Sequence, residues 1–318
     1  MSTTWVTKRR TPANHSEPFA TVSDIEESDI EESFARAPDG TRLYVRRRPG
    51  PVLATALLCD GLVCDGFIYK YLWDDLAQIL SVAHFNYRGH GRSALPEDSA
   101  QIGVRALADD LNAVRAHLGN PPVVLVGHSL GTQVSLEAYR AKPTGVAGMV
   151  FLCGSFGRVT HTFKGSDLLA NVLPNLIEFV TRHPKLARAL WARMPIKPAL
   201  SIAKMIGDVN ATLVDEADVE PYFRHVAHVD FEMFLRMLQE AGEHSAEDLL
   251  PRVQVPVLVI AGERDTFTPP SLSEAMAGRL PNAELVMIPG GTHVAPLEHR
   301  DEVAAAIEKF LSKIDLLT

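Results

Sequence analysis

Val123-Val124-Leu125-Val126-Gly127-His128-Ser129-Leu130-Gly131 decides how this chain is read. Four apolar, mostly β-branched residues predict a buried strand, and the segment after Ser129 has the composition of a helix. A serine at so sharp a junction projects its hydroxyl outward, and the glycines on either side give the crowded backbone room to bend. That is where a nucleophile is held. Taken alone the string also fits a glycine-flanked serine capping a helix, so its meaning depends on what lies downstream.

A serine hydroxyl is a weak nucleophile until a histidine within hydrogen-bond reach removes its proton, and that histidine must itself be oriented by an acid. After a strand–serine–helix junction, the acid and then the histidine follow in chain order. Val255-Pro256-Val257-Leu258-Val259-Ile260-Ala261-Gly262 predicts a buried strand ending in Glu263-Arg264-Asp265. Glu284-Leu285-Val286-Met287-Ile288-Pro289 predicts another, ending in Gly290-Gly291-Thr292-His293. Alone, Asp265 reads as a helix N-terminal signal and His293 as a loop histidine. Together, at successive strand ends, Ser129, Asp265 and His293 are read as nucleophile, orienting acid and general base.

With these motifs the sequence resembles the α/β-hydrolase family, in its serine-nucleophile branch with a helical cap. Asn86-Tyr87-Arg88-Gly89-His90-Gly91-Arg92-Ser93 resembles the family's loop after the fourth strand. Leu57-Leu58-Cys59-Asp60-Gly61-Leu62 resembles the end of the third strand, which carries the oxyanion hole. The resemblance extends over roughly residues 34–315. It implies an α/β fold: a mostly parallel twisted sheet with helices on both faces and an inserted helical cap. It also implies that the backbone N–H groups of Leu62 and Leu130 hold a developing oxyanion. One departure stands out, because many members have His-Gly where this chain has Asp60-Gly61. A carboxylate there opposes negative charge on the substrate unless it points away or is paired, and Arg88 or Arg92 is the expected partner.

Composition agrees with that reading. A chain of 318 residues with 46% hydrophobic content can bury one large α/β core with an inserted subdomain. A net charge of -8 gives no basic surface for nucleic acid. Cys59, Cys64 and Cys153 are too few for a disulfide framework and fit a reducing compartment. Met1 to Arg10 is followed by no apolar run of signal-peptide length, and no stretch of 18 apolar residues occurs, so the expectation is a cytoplasmic protein with no stable membrane insertion. No cofactor is expected, since neither a phosphate loop nor a dinucleotide fingerprint is present. No metal is expected either: His225 and His228 are three residues apart but lack a third ligand. Oligomeric state is left open.

Residues 1–32 read as an acidic, flexible arm, carrying the tandem Ser23-Asp24-Ile25-Glu26-Glu27 and Ser28-Asp29-Ile30-Glu31-Glu32 with no lysine or arginine between residues 11 and 35. Residues 33–154 and 252–318 read as the hydrolase core. They begin with a hairpin about Asp39-Gly40 and go on to strands at about 52–59, 81–86 and 147–153 and helices at 69–80 and 106–118. Residues 155–251 break the alternation and read as the cap. It is rich in phenylalanine and methionine, which favours an apolar substrate, and Phe156, Phe163, Phe231 and Phe234 are its candidate substrate contacts.

The expected activity is hydrolysis of a carboxylic ester, or a related thioester or lactone, of an apolar small molecule through an acyl-serine. Alternatives on the same residues are carbon–carbon bond hydrolysis of a ring-cleavage product, a hydrolase-fold small-molecule receptor with slow turnover, and a lipase acting at a membrane surface.

Overall fold

The computed structural model describes residues 29–162, 166–191, 209–210, 212–314 and 316. Among them, eight strands form one sheet: β1 (Glu31–Arg36), β2 (Arg42–Arg48), β3 (Thr55–Cys59), β4 (Ser81–Phe85), β5 (Val123–His128), β6 (Val146–Leu152), β7 (Val257–Gly262) and β8 (Ala283–Ile288). Their order is β1-β2-β4-β3-β5-β6-β7-β8, antiparallel at β1–β2 and β2–β4 and parallel from β4 to β8. The parallel part needs crossovers, supplied first by α1 (Lys70–Ala77), α2 (Val104–His117) and α3 (Leu130–Ala141). The sequence expectation of a mostly parallel sheet wrapped on both faces is met.

Alternation along each central strand divides the core in two. Leu57, Leu125, Phe151 and Val259 point to one face, while Leu58, Val126, Val150 and Ile260 point to the other. All six residues of β7 and all five of β3 are buried, as expected of strands covered on both sides. Boundaries shift slightly from the sequence expectation. β3 starts at Thr55, not 52, and α1 stops at Ala77 because Gln78–Leu80 turn the chain into β4.

Between β6 and β7 the described residues form helices Val159–Thr162, Leu168–Arg182, Pro184–Trp191, Glu216–His228 and Phe231–Glu243. Leu173, Ile177, Val180, Ala187 and Leu235 make a small core of their own there. After β7 come helix Pro270–Arg279, β8, the short helix Ala295–Glu298 and helix Arg300–Lys313. Among the described residues no helix is long and apolar enough to cross a membrane.

The acidic arm up to residue 28 lies outside the described residues. Glu31 and Glu32, which the charge pattern assigned to it, instead open β1. Tyr44 donates a 2.5 Å hydrogen bond to Glu32, and Arg92 pairs with it at 2.7 Å, so this carboxylate is matched from β2 and the β4 loop.

Candidate active site

Ser129 stands between β5 and α3 with φ 52° and ψ -115°, a conformation that costs a residue with a side chain of order 1–3 kcal/mol. The flanking glycines are required by close packing. A Cβ at Gly127 would lie 2.4 Å from the Gly131 carbonyl oxygen, and one at Gly131 would lie 2.1 Å from that of Cys59. The start of α3 therefore sits directly on the end of β3, which brings the Gly61–Leu62 loop beside Ser129. The Ser129 N–H is fixed by the Leu152 carbonyl at 3.0 Å.

Asp265 and His293 meet although 28 residues separate them. Their strands, β7 and β8, are parallel neighbours, so the two loops emerge side by side. His293 Nδ1 donates to Asp265 Oδ2 at 2.9 Å. Asp265 Oδ1 accepts from the N–H groups of Phe267 (2.8 Å) and Thr268 (2.9 Å), and the Thr268 hydroxyl lies 2.8 Å from Oδ2. Burial pushes the Asp265 carboxyl up, but the His293 charge and these hydrogen bonds outweigh it and hold the group below the ordinary carboxylate range. With Nδ1 engaged, Nε2 of His293 is left for a second partner.

Ser129, His293, Leu62 and Leu130 all line one cavity of about 590 Å3. Leu130 is the first residue of α3, so its N–H has no acceptor within the helix and stands at the positive end of the helix dipole. Phe231 and Phe234 also line the cavity and stack with Trp191, at centroid distances of 4.2 and 5.5 Å. Phe156 is different: it is buried in the main core, and its ring lies under the Arg279 guanidinium rather than among the described lining residues. Its position immediately after the β6 end, before the inserted helices begin, explains the difference. Phe163 lies outside the described residues. Val172 and Leu176 line the cavity while remaining exposed, so they mark its mouth. No described lining residue is Asp, Glu, Lys or Arg.

The partner expected for Asp60 needs correction. Arg88 binds Asp110 through both ends of its guanidinium, at 2.7 and 2.5 Å, and also Asp39, while Arg92 binds Glu32. Asp60 is instead paired with His84, two positions before Asn86 on β4. Among the described residues, His225 Nδ1 faces Asp65 at 3.7 Å and His228 Nδ1 donates to the Arg224 carbonyl.

Several supporting residues carried no sequence signal. His128 Nε2 donates to the His293 carbonyl at 3.0 Å, tying the serine turn to the histidine loop. Burial, with the neighbouring His293, pushes His128 down to about 4, so it is a neutral donor at neutral pH. Tyr69 donates to the Cys59 carbonyl at 2.5 Å and accepts from the His128 N–H at 3.0 Å, joining the ends of β3 and β5. Only the topology brings these groups together.

The sequence pattern described as the Alpha/beta hydrolase family matches residues 61–306. A pimeloyl-[acyl-carrier protein] methyl ester esterase of Xanthomonas oryzae pv. oryzae is 26% identical over 269 residues, covering 83% of this chain and 96% of that protein. A solved thermophilic esterase from Thermogutta terrifontis superposes with a TM-score of 0.71 at 24% identity, covering 89% of this chain and 99% of the other. The enol-lactonase of Burkholderia xenovorans LB400 does so with a TM-score of 0.70 at 18% identity, over 88% and 100%. At these identities the two superpositions speak for the fold. With the family pattern spanning most of the sheet and the serine turn, the chain belongs to the alpha/beta hydrolase family.

Proposed function

We propose that this protein is a serine hydrolase that cleaves carboxylic esters of apolar, uncharged substrates through an acyl-serine. The observation that supports it most is a single one: the strained Ser129 and the Asp265-oriented His293 border the same cavity, whose described lining carries no charged side chain. The inserted helices between β6 and β7 act as the cap over it.

In the proposed reaction His293 Nε2 accepts the Ser129 hydroxyl proton as Oγ attacks the ester carbonyl carbon. The carbonyl π pair moves to oxygen, which the N–H groups of Leu62 and Leu130 hold. The tetrahedral carbon then expels the alkoxide, which takes the proton back from His293 and leaves as the alcohol. Water, deprotonated by the same nitrogen, attacks the acyl carbon, and the second tetrahedral carbon expels Ser129 Oγ, which takes that proton back from His293 as the acid is released. Ionised Asp265 keeps the ring in the Nδ1–H tautomer and stabilises the imidazolium formed in each half-reaction. Burying the substrate in an apolar cavity strengthens both effects.

Fluorophosphonate labelling followed by peptide mass spectrometry tests the nucleophile, and a panel of esters, thioesters and lactones tests the substrate class. Labelling confined to Ser129, with turnover of a short p-nitrophenyl ester abolished in Ser129→Ala, is the expected outcome. Equal turnover by Ser129→Ala refutes the proposal.

A further inference from the structure

Glu298 ends the short helix that follows His293 and is buried. Its two carboxyl oxygens serve two distant parts of the chain. Oε2 accepts the Thr292 N–H at 2.7 Å, and Oε1 accepts the N–H of Asn210, in the segment inserted between β6 and β7, also at 2.7 Å. Both donors are backbone groups that can only donate, so each oxygen accepts one of them. The Thr292 hydroxyl lies 2.7 Å from Oε1 and itself accepts the Val294 N–H at 3.3 Å. Thr292 and Val294 stand on either side of His293, so the backbone that brackets the imidazole is tied to one carboxyl. Asn210 holds that carboxyl from outside the loop, beside Val209 in the cavity wall.

A general base works only within about 3 Å of the proton it takes, and a misplacement of about 1 Å can cost about a hundredfold. His293 stands in a loop, so the aim of its ring depends on the backbone on each side. Asp265 fixes Nδ1 and His128 holds the His293 carbonyl. Glu298 fixes the flanking N–H groups, directly at Thr292 and through the Thr292 hydroxyl at Val294. It is not among the described residues that line the cavity, so it acts through the loop. We infer that Glu298 is a positioning residue of the proposed hydrolysis, aiming His293 at Ser129 from an anchor on the inserted segment. The inference rests on the reading of His293 as general base and adds the residue that holds the base in place. A glutamine there offers one acceptor oxygen, so whichever way it turns, either the Thr292 or the Asn210 N–H meets an amide donor.

Two rates separate aiming from stability, both read on the full-length chain well below its denaturation midpoint: Ser129 labelling by a fluorophosphonate, and kcat for p-nitrophenyl butyrate. Glu298→Leu is expected to lower both about tenfold with KM nearly unchanged, and Glu298→Gln to fall between it and the parent. Thr292→Val, which removes the hydroxyl and leaves Glu298 in place, is expected to slow both as well. If Glu298→Leu does not fold, Glu298→Gln and Thr292→Val decide. Folded variants that label and turn over at the parent's rates overturn the inference, whatever stability they lose, as does a change confined to KM. A parent chain that labels at Ser129 but cleaves no ester sinks the ester reading alone, and the labelling rates still decide the role of Glu298. Ester hydrolysis by the parent, with equal labelling rates in every variant, sinks this inference alone.

Discussion

His84 Nε2 stands 2.7 Å from Asp60 Oδ2, with both side chains fully buried at the β3–β4 edge of the site. The pairing turns the carboxylate toward β4, and the Asp60 carbonyl is held separately by the Tyr87 hydroxyl at 2.9 Å. The Asp60 side chain next to the proposed oxyanion donors is thus hydrogen-bonded within the sheet, without an arginine. Removing one member of such a buried hydrogen-bonded pair leaves the other unsatisfied, at about 1–3 kcal/mol. His84→Ala is expected to lose that much stability in urea denaturation, and the double change with Asp60→Asn to recover most of it. A His84→Ala protein as stable as the parent contradicts the assignment.

Ser129 offers a test that separates strain from chemistry. At φ 52° and ψ -115° its Cβ is disfavoured, and only glycine relaxes there. Ser129→Ala and Ser129→Gly both remove the hydroxyl, so both are expected to lose ester turnover. Ser129→Gly is expected to be the more stable of the two by about 1 kcal/mol, the lower end of the strain range. Denaturation midpoints that rank alanine above glycine place the strain elsewhere.

How far the sequence could be read follows from the range of each interaction. The Ser129 turn, the strand ends at Asp265 and His293 and the hairpin about Gly40 are local patterns, written in consecutive residues. The parallel order of the sheet followed from strands alternating with helices. Asp60 was flagged from the Asp60-Gly61 dipeptide, but its partner was not legible: β3 lies beside β4 in parallel register, with Leu58 opposite His84, a pairing no local pattern encodes. Phe156 was misplaced for a related reason. Composition marks a residue as apolar, whereas core or cavity is decided by which side of the chain it leaves. Glu298 and Tyr69 were invisible because their partners, Asn210 and His128, are 88 and 59 residues away.

Acid should weaken the fold in a definite window. Burial pushes His90 down to about 4, against a hydrogen bond to the Arg88 carbonyl, and His128 is also pushed down to about 4. Both are neutral in the folded chain, while in the unfolded chain they take a proton near 6.5. The unfolded state therefore binds more protons between these values, and stability is full above pH 6.5 and lost as pH falls toward 4. Each histidine contributes a slope of about 1.4 kcal/mol per pH unit within the window. Asp110, which burial raises to about 6 despite Arg88, slopes the other way, so the informative comparison is with one histidine removed. Urea denaturation between pH 6 and pH 5 is expected to be less pH-sensitive in His90→Gln by about that amount. Parallel pH profiles exclude His90 as a source.

Tyr69 connects the two strand ends that the proposed mechanism needs in register. Its hydroxyl donates to the Cys59 carbonyl at 2.5 Å, accepts from the His128 N–H at 3.0 Å and lies 3.2 Å from the Val126 carbonyl. Burial pushes this phenol well above its ordinary range, so it remains a donor at any working pH. Tyr69→Phe keeps the ring and its packing but leaves the His128 N–H without its acceptor and the Cys59 carbonyl without its donor, at about 1–3 kcal/mol. Cys59 leads into Leu62 and His128 into Ser129, so the same loss lets the proposed oxyanion donors drift relative to the nucleophile. Because that misalignment bears on the transition state more than on ground-state binding, turnover of a p-nitrophenyl ester is expected to fall about tenfold in kcat with KM nearly unchanged. A Tyr69→Phe protein that loses stability but keeps its kcat shows the hydroxyl to be structural only. A rise in KM alone assigns it to substrate binding.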